Sequence, residues 1–339
     1  MGAVLLTGAT GFVGREVLAR FLARGDRHVY ALVRADDDTE AAGRLPDHEC
    51  LTAVAGDIEE SGLGLAEETA DRLRRDVSTV VHCAASVSFD LPLDESRRVN
   101  VDGTRRMAEF ARACPALERF TYVSTAYVAG EPGGVFREDD LAVGQSFRNP
   151  YEQSKFEAEV TLRSEAGDLP LQILRPSIVV GDSTTGRTTS FNVLYGPLRA
   201  FARGAMRAIP ARRDSPVDIV PVDYVADRVH GLATDGPNGT FHLVAGRNAT
   251  TVGRLLEMSS SELERPEPIV LPPRLYRRLL HPLLRLRNPR LRRMEVFFPY
   301  FSMRVRFDDA RLGPGPRVER YFHRLVRYAE RARWGRGRR

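Results

Sequence analysis

The stretch Thr7-Gly8-Ala9-Thr10-Gly11-Phe12-Val13-Gly14, residues 7–14, decides the fold. A short apolar run at 3–6 leads into it, and residues 15–22 continue with apolar side chains at helical spacing. A buried strand, a glycine turn and a helix in this order present backbone N–H groups and a helix N-terminus to a pyrophosphate. The spacing is G-x-x-G-x-x-G rather than G-x-G-x-x-G, and a simple strand-to-helix turn would not need three glycines. We therefore predict a dinucleotide-binding loop, with these binding residues: Gly8, Thr10, Gly11, Phe12, Val13 and Gly14.

Strand-like and helix-like stretches then alternate along the chain. Apolar strand patterns occur at 28–34, 51–55, 78–83, 120–123, 171–174 and 240–244, and helical patterns occur at 95–114, 150–164, 251–259 and 317–333. This alternation predicts an α/β fold, a doubly wound parallel sheet of Rossmann type covered on both faces. We expect a dinucleotide-binding domain at 1–180, with elements returning to it near 217–245. A smaller C-terminal substrate-binding region at 181–339 completes the prediction.

The second strand ends in a basic residue, which bears on the choice of cofactor. In this architecture an acid at that point accepts the ribose 2′-hydroxyl, whereas an arginine accommodates a 2′-phosphate. The residue here is Arg34, and Arg15, one residue beyond the glycine loop, could reach the same phosphate. We therefore predict NADP(H) as the cofactor. Residues 36–38, three aspartates, could supply an acid if the strand ended later.

Further residues at the ends of strands are candidates for cofactor contacts. Asp57 follows the third strand and could meet the adenine edge, and small residues after the fourth strand let a flat cofactor approach the backbone closely. We assign these further residues to the cofactor site: Asp57, Ile58, Ala84, Ala85, Ser86, Asn100, Ser124, Pro176, Ser177 and Ile178.

A tyrosine and a lysine lie four residues apart at Tyr151 and Lys155. On a helix both side chains share one face, one turn apart. A cationic neighbour stabilises a phenolate and lowers the phenol's pKa from about 10, which suits acid–base work. Lys155 is the only lysine in 339 residues, all other basic residues being arginine. A compact ammonium can reach sugar hydroxyls and tune a phenol in a way that a guanidinium cannot.

Taken together, five motifs resemble an extended short-chain dehydrogenase/reductase. They are TGATGFVG at 7–14, GDI at 56–58, AAS at 84–86, STA at 124–126 and YEQSK at 151–155. Two further stretches, HCAASVSFD at 82–90 and DIVPVDYV at 218–225, look like the fatty acyl-CoA reductase and thioester reductase branch. The resemblance covers most of residues 3–180.

The resemblance implies roles for three residues. Tyr151 would be the acid, and Lys155 would tune it and bind the nicotinamide ribose. The family's third member is a Ser or Thr hydroxyl that hydrogen-bonds the substrate carbonyl. Counting back from Gly130, this hydroxyl falls on Thr125, with Ser124 as the alternative.

The implied function is NADPH-dependent reduction of an acyl thioester, on CoA or a carrier protein, to an aldehyde or an alcohol. One alternative is a ketone or hydroxysteroid-type reductase, or a sugar-nucleotide epimerase, using the same three residues. A third hypothesis is a non-catalytic protein that senses a dinucleotide. Non-catalytic members of the family generally lose the catalytic Tyr or Lys, and this chain has both.

The C-terminal part is rich in arginine. In residues 181–216 aromatic residues alternate with arginines. The aromatic residues could line an acyl channel and the arginines could bind phosphates. Alternatively, the aromatic residues pack in the core and the arginines face solvent. Residues 274–293 hold eight arginines and no acid among leucines. Such a basic amphipathic stretch suits an anionic membrane surface or an acidic carrier protein. Peripheral association with an anionic membrane through 274–301 is one hypothesis for this segment, and docking of a carrier protein is the other. We expect no nucleic-acid partner, because no recognised module supports one.

Composition sets the remaining bounds. Three cysteines without CxxC spacing indicate neither a disulfide framework nor a metal site. The chain begins with no charged segment or cleavage site typical of a signal peptide, and no apolar run approaches the roughly 18 residues of a membrane span. We expect a cytoplasmic protein of unknown oligomeric state.

Overall fold

The computed structural model describes residues 2–131, 133–165, 167–191, 193–279 and 297–335. The chain divides into two compact units. The first comprises Met1–Gly130, Glu138–Pro176 and Tyr224–Leu243, and the second comprises Glu131–Arg137, Ser177–Asp223 and Val244–Arg339.

Strands and helices alternate through most of the chain. The strands are β1 (Ala3–Thr7), β2 (Val29–Val33), β3 (Leu51–Ala55), β4 (Val77–His82), β5 (Arg119–Val123), β6 (Gly134–Phe136), β7 (Leu171–Pro176), β8 (Ile178–Val180), β9 (Ala208–Pro210), β10 (Pro216–Val217), β11 (Ile219–Pro221), β12 (Gly239–Leu243), β13 (Thr250–Thr251), β14 (Ile269–Leu271) and β15 (Val305–Phe307). The helices are α1 (Phe12–Arg24), α2 (Asp38–Gly43), α3 (Glu67–Asp76), α4 (Leu93–Arg97), α5 (Gly103–Arg112), α6 (Pro150–Glu165), α7 (Tyr195–Ala202), α8 (Val222–Asp235), α9 (Val252–Leu263), α10 (Pro273–Leu279) and α11 (Phe322–Arg331).

The first unit is built on a seven-stranded sheet in the order β12-β7-β5-β4-β1-β2-β3. Every neighbouring pair is parallel. The predicted α/β fold with a doubly wound parallel sheet is confirmed. The strand order changes direction between β1 and β4, where Thr7 is in register with His82. In open α/β sheets ligands bind beyond the C-terminal ends of the strands at such a switch point.

The helix predicted at 95–114 is interrupted. It consists of α4, a π-helical turn at Arg98–Asp102, and α5. The wide turn is centred on Asn100, whose buried side chain bonds groups outside the helix. Periodicity alone does not reveal such a turn, because a single π-turn is too short and too rare to be recognised from an apolar pattern.

The second unit contains short strands paired over long sequence separations. β8 pairs with β11, β9 with β14, and β6 with β15, all parallel, and β10 pairs with β13 antiparallel. The predicted last helix corresponds to α11, which buries Phe322, Leu325, Val326 and Ala329. Its other face exposes arginine side chains.

The described helices include none that combines the length and the apolar character of a membrane span. Most of the arginine-rich segment singled out in the sequence, residues 280–296, lies outside the described residues.

Candidate active site

The glycine loop joins β1 to α1 with very little space around it. Gly8 has φ +73°, and a Cβ there would lie 2.7 Å from the backbone N of Ala84. A Cβ on Gly14 would lie 2.1 Å from the carbonyl oxygen of Gly8. Gly11 is the N-cap of α1, so the helix N-terminus opens directly onto the loop. These backbone positions exclude side chains and leave a cradle of the kind that admits a pyrophosphate, so the loop fits the predicted dinucleotide.

β2 ends at Val33, which makes Arg34 the first residue beyond the strand. The Arg34 side chain is 76% exposed, and its Nη1 lies 3.5 Å from Glu59. Two of the three nearby aspartates have other roles. Asp37 caps α2 by accepting from the Glu40 N–H, and Asp38 accepts from the Ala55 N–H at 2.7 Å. The strand does not extend to the aspartates.

The predicted residues around Asp57 shape the neighbouring turn. The Asp57 carboxylate accepts from the Glu59 N–H at 2.9 Å. Ile58 is buried in the core of the first unit, where its side chain leaves no room for a Cβ on Gly103. Arg15 lies exposed in the first turn of α1.

The small turn at 84–86 is held by Asn100. Its Oδ1 accepts from the Ser86 N–H at 2.8 Å, and its Nδ2 donates to the Ser86 carbonyl at 3.0 Å and to the Ser154 hydroxyl at 2.9 Å. Asn100 is therefore placed to fix the turn and to connect it to α6.

A buried histidine connects this turn to the glycine loop. The Thr104 hydroxyl donates to the Asn100 carbonyl and lies 3.1 Å from His82 Nε2, so it accepts the Nε2 proton. His82 Nδ1 then accepts from the Thr7 hydroxyl at 2.7 Å. Burial, with a smaller contribution from the charge of Lys155, lowers the pKa of His82 to about 3 and keeps the ring neutral.

The two candidate hydroxyls at the end of β5 point to different partners. Ser124 donates to the buried carboxylate of Glu159. Thr125 accepts from the Tyr127 N–H at 3.2 Å and donates to the Pro176 carbonyl at 3.4 Å, and its hydroxyl lies near enough to Tyr151 to affect the pKa of that phenol. The structure thus brings Thr125, rather than Ser124, to the tyrosine.

Helix α6 carries Tyr151 and Lys155 as the spacing predicts. It begins at Pro150, and Asn149 accepts from the Glu152 N–H at 3.0 Å, which satisfies a first-turn donor. Burial raises the pKa of Tyr151 to about 12, and the nearby Thr125 hydroxyl offsets only part of this rise. The tuning of Tyr151 by Lys155 stays a prediction. Tyr151 is a neutral phenol at physiological pH.

The ammonium of Lys155 is directed into the sheet. Its Nζ donates to the Val123 carbonyl at 2.8 Å and lies 4.1 Å from the centroid of the Tyr122 ring. The side chain is 1% exposed. Burial lowers the pKa of Lys155 to about 7, and the negative charge of Glu159 counteracts this effect only in part.

Two neighbours of these residues were missed in the sequence. Phe89, from the loop after β4, has its ring centroid 5.8 Å from that of Tyr151. Glu159 lies one turn after Lys155 on α6. The i+4 spacing was a signal for Glu159, whereas nothing in the local pattern places Phe89 against the tyrosine.

The remaining predicted residues lie where the two units divide. Pro176 ends β7 in the first unit, and its carbonyl accepts from Thr125 at 3.4 Å. Ser177 and Ile178 open the second unit, where Ile178 is part of β8.

The aromatic and basic residues of 181–216 have partners within the second unit. Phe191 packs against Tyr195 and Tyr328, and Tyr195 is buried with its hydroxyl accepting from the Gly181 N–H. Arg212 pairs with Asp214, and Arg213 pairs with Glu257 and Glu267. These contacts favour the packing interpretation for these members of the stretch.

Comparison with known proteins identifies the relatives of this chain. The family model described as male sterility protein matches residues 6–229, more than half of the chain. The carboxylic acid reductase of Mycobacterium marinum is 32% identical over 286 residues, which cover 71% of this chain and 24% of that protein. Human fatty acyl-CoA reductase 2 is 26% identical over 296 residues, which cover 72% of this chain and 58% of that protein.

The fold is shared with a solved reductase domain. The terminal R domain from the myxalamid PKS-NRPS biosynthetic pathway superposes with a TM-score of 0.83 at 24% identity, covering 98% of this chain and 92% of that one. The chain spans only about a quarter to three fifths of the length of the two curated relatives named above.

Proposed function

Because the chain belongs to the male sterility protein family, in the fatty acyl-CoA reductase and thioester reductase branch of the extended short-chain dehydrogenases/reductases, we propose that it is an NADPH-dependent reductase of acyl thioesters. The observation that carries this proposal is that α6 brings Tyr151 and Lys155 to the C-terminal end of β5, where Lys155 bonds the Val123 carbonyl and Thr125 lies near Tyr151. Their arrangement supports chemistry on a carbonyl group.

The cofactor site would be formed by the glycine loop, the N-terminus of α1 and the 84–86 turn. The bound nicotinamide would supply the hydride. The choice of NADPH over NADH is supported by Arg34, which directly follows β2, and by the engagement of Asp37 and Asp38 in local hydrogen bonds. Arg15, exposed in the first turn of α1, would add a second positive charge.

Tyr151 and Thr125 would hydrogen-bond the thioester carbonyl oxygen. Negative charge develops on that oxygen during reduction, and two hydroxyl donors stabilise it in the manner of an oxyanion hole. Tyr151 is protonated at neutral pH and would donate its proton to this oxygen as the negative charge develops there. Lys155 would bind the nicotinamide ribose. Phe89, against the Tyr151 ring, would give the acyl group an apolar neighbour.

The substrate would be an acyl-CoA or an acyl group on a carrier protein, and the product an aldehyde or an alcohol. Relatives named as carboxylic acid reductase and fatty acyl-CoA reductase support this class. The association of 274–301 with an anionic membrane stays a prediction, as does a cytoplasmic location. Co-sedimentation of the full chain with anionic vesicles at low salt tests the membrane prediction.

The test of the function measures NADPH consumption and free thiol together. The full chain is given a panel of acyl-CoAs, simple ketones and UDP-sugars in parallel wells. Thiol release that matches NADPH loss supports the proposal, and a ratio of two NADPH per thiol indicates the alcohol. Tyr151→Phe should lower kcat about 10²–10⁴-fold without weakening NADPH binding. Turnover of ketones or UDP-sugars without thiol release would refute the thioester proposal.

A further inference from the structure

A fully buried ion pair lies one turn beyond Lys155. Glu159 and Arg175 have side chains that are 0% exposed. Arg175 Nε lies 3.0 and 3.1 Å from the two Glu159 oxygens, and its Nη2 lies 2.7 Å from Oε2. The guanidinium also donates to the carbonyls of Glu138 and Asp140. Because Glu159 follows Lys155 by four residues on α6, the pair lies next to the candidate active site.

The same carboxylate reaches the end of β5. Ser124 donates its hydroxyl proton to Glu159, while its N–H donates to the Leu174 carbonyl at 2.7 Å. Thr125 follows in an extended conformation, with φ −151° and ψ 146°. Successive side chains of an extended segment point to opposite sides, so holding Ser124 towards Glu159 turns Thr125 towards Tyr151.

The surroundings of Lys155 make Glu159 its counter-charge. His82 at the end of β4, Cys83 just after it, Tyr122 on β5 and Glu159 on α6 are the groups that interact with it. Burial keeps His82 neutral and raises the pKa of the Cys83 thiol to about 12, so that thiol is also uncharged near neutrality. Arg175 pairs with the same Glu159 carboxylate at 2.7 Å.

We propose that Glu159 is a positioning residue: through one carboxylate it selects Thr125 as the hydroxyl presented to the substrate, and it supplies the buried counter-charge of Lys155 one helical turn away. This inference rests on the proposed function for its kinetic consequences. Its electrostatic part concerns the folded protein alone. Glu159 acts through Ser124 and Lys155 and needs no contact with the substrate.

The single lysine allows a direct test that needs no turnover. The full chain labelled with [¹³Cε]lysine gives one lysine resonance, whose shift against pH reports the protonation of Lys155. Glu159→Gln should move its midpoint down by about one pH unit, because the counter-charge is lost. Glu157→Gln is the matched control. It removes another bidentate pairing on α6, that of Glu157 with Arg97 at 2.7 Å, and should leave the midpoint unchanged.

Kinetics tests the hydroxyl part. Glu159→Gln should move the alkaline limb of the kcat profile down by the same amount, with little change in the KM for NADPH. Ser124→Ala removes the bond to Glu159 without burying an unpaired charge. It should lower kcat about tenfold at all pH values, an effect expected from a displaced hydroxyl. Glu157→Gln should behave as the wild type.

The outcomes separate this inference from the proposed function. An unchanged lysine midpoint in Glu159→Gln, or an unchanged kcat in Ser124→Ala, overturns the role of Glu159 even if thioesters are reduced. Failure to reduce any thioester refutes the function but leaves the lysine titration valid. If Glu159→Gln does not fold, Glu159→Asp is used in its place, because it keeps a negative charge to pair with Arg175. Both the midpoint and kcat should then fall by smaller amounts, and two unchanged values would overturn the proposal.

Discussion

Replacement of Lys155 by methionine should stabilise the fold, and the gain should depend on pH. Lys155 is buried, with its Nζ held by the Val123 carbonyl and the face of the Tyr122 ring. Burying an ammonium costs free energy unless it is well compensated. Methionine has a similar length and no charge, so Lys155→Met removes this cost while filling much of the same space.

The magnitude follows from the two pKa values. The unfolded chain keeps the ordinary value of 10.5, and burial lowers the folded-state pKa to about 7. Between these values the unfolded chain binds a proton that the folded chain lacks, so wild-type stability rises with pH over this range. At about 1.4 kcal/mol per pKa unit, the lysine costs about 4 kcal/mol at pH 7 and about 1 kcal/mol near pH 9.5.

The free-energy difference between the variant and the wild type should therefore shrink by about 3 kcal/mol from pH 7 to about pH 9.5. Loss of the bond to the Val123 carbonyl costs about 1–3 kcal/mol, but it affects both pH values alike. Urea unfolding of both proteins at several pH values measures this difference. The contributions of other titrating groups are the same in both proteins and cancel in the difference. A difference that does not change with pH would show that Lys155 has an ordinary pKa and would refute the reasoning.

Three further predictions concern the cofactor loop, the cofactor choice and the carbonyl-binding hydroxyl. Gly14→Ala should abolish dinucleotide binding and destabilise the fold by more than about 2 kcal/mol, because its Cβ would lie 2.1 Å from the Gly8 carbonyl oxygen. The control Gly43→Ala meets no atom within 4 Å and should be tolerated. Fluorescence titration with the dinucleotide and thermal melting measure the two effects. Arg34→Glu should raise the KM for NADPH at least about tenfold and that for NADH little, and equal effects on both would contradict a 2′-phosphate contact. Thr125→Val should lower kcat about 10²-fold while Thr125→Ser retains most of it, and equal rates for the two variants would exclude the hydroxyl from the chemistry.

The parts that the sequence predicted well are those with a local cause. The sheet follows from short apolar segments of high β-propensity that are separated by segments with helical periodicity. The glycine loop follows from a glycine spacing that only a tight strand-to-helix turn requires. The placement of Tyr151 and Lys155 follows from helical geometry, because Pro150 starts the helix that carries both. In each case neighbours along the chain determine the outcome.

The parts that the sequence did not reveal depend on distant segments. The pairing of β6 with β15 joins residues about 170 positions apart, and neither three-residue strand has a recognisable pattern alone. The engagement of Ser124 depends on Glu159 and Arg175, which come from different elements. The pKa of Tyr151 depends on burial, which a spacing argument cannot weigh against a neighbouring charge.

Composition and geometry together explain why lysine stands at residue 155 in a chain otherwise served by arginine. The space between the Val123 carbonyl and the Tyr122 ring receives a point-like ammonium 2.8 Å from one and 4.1 Å from the centroid of the other. A guanidinium is planar and broad, and it does not lose its proton when buried. An arginine there would bring a permanent charge into a site where burial lowers the pKa of lysine to about 7. A cation that can give up its proton therefore suits this site better than a guanidinium, and the proposed counter-charge of Glu159 would favour its protonated form.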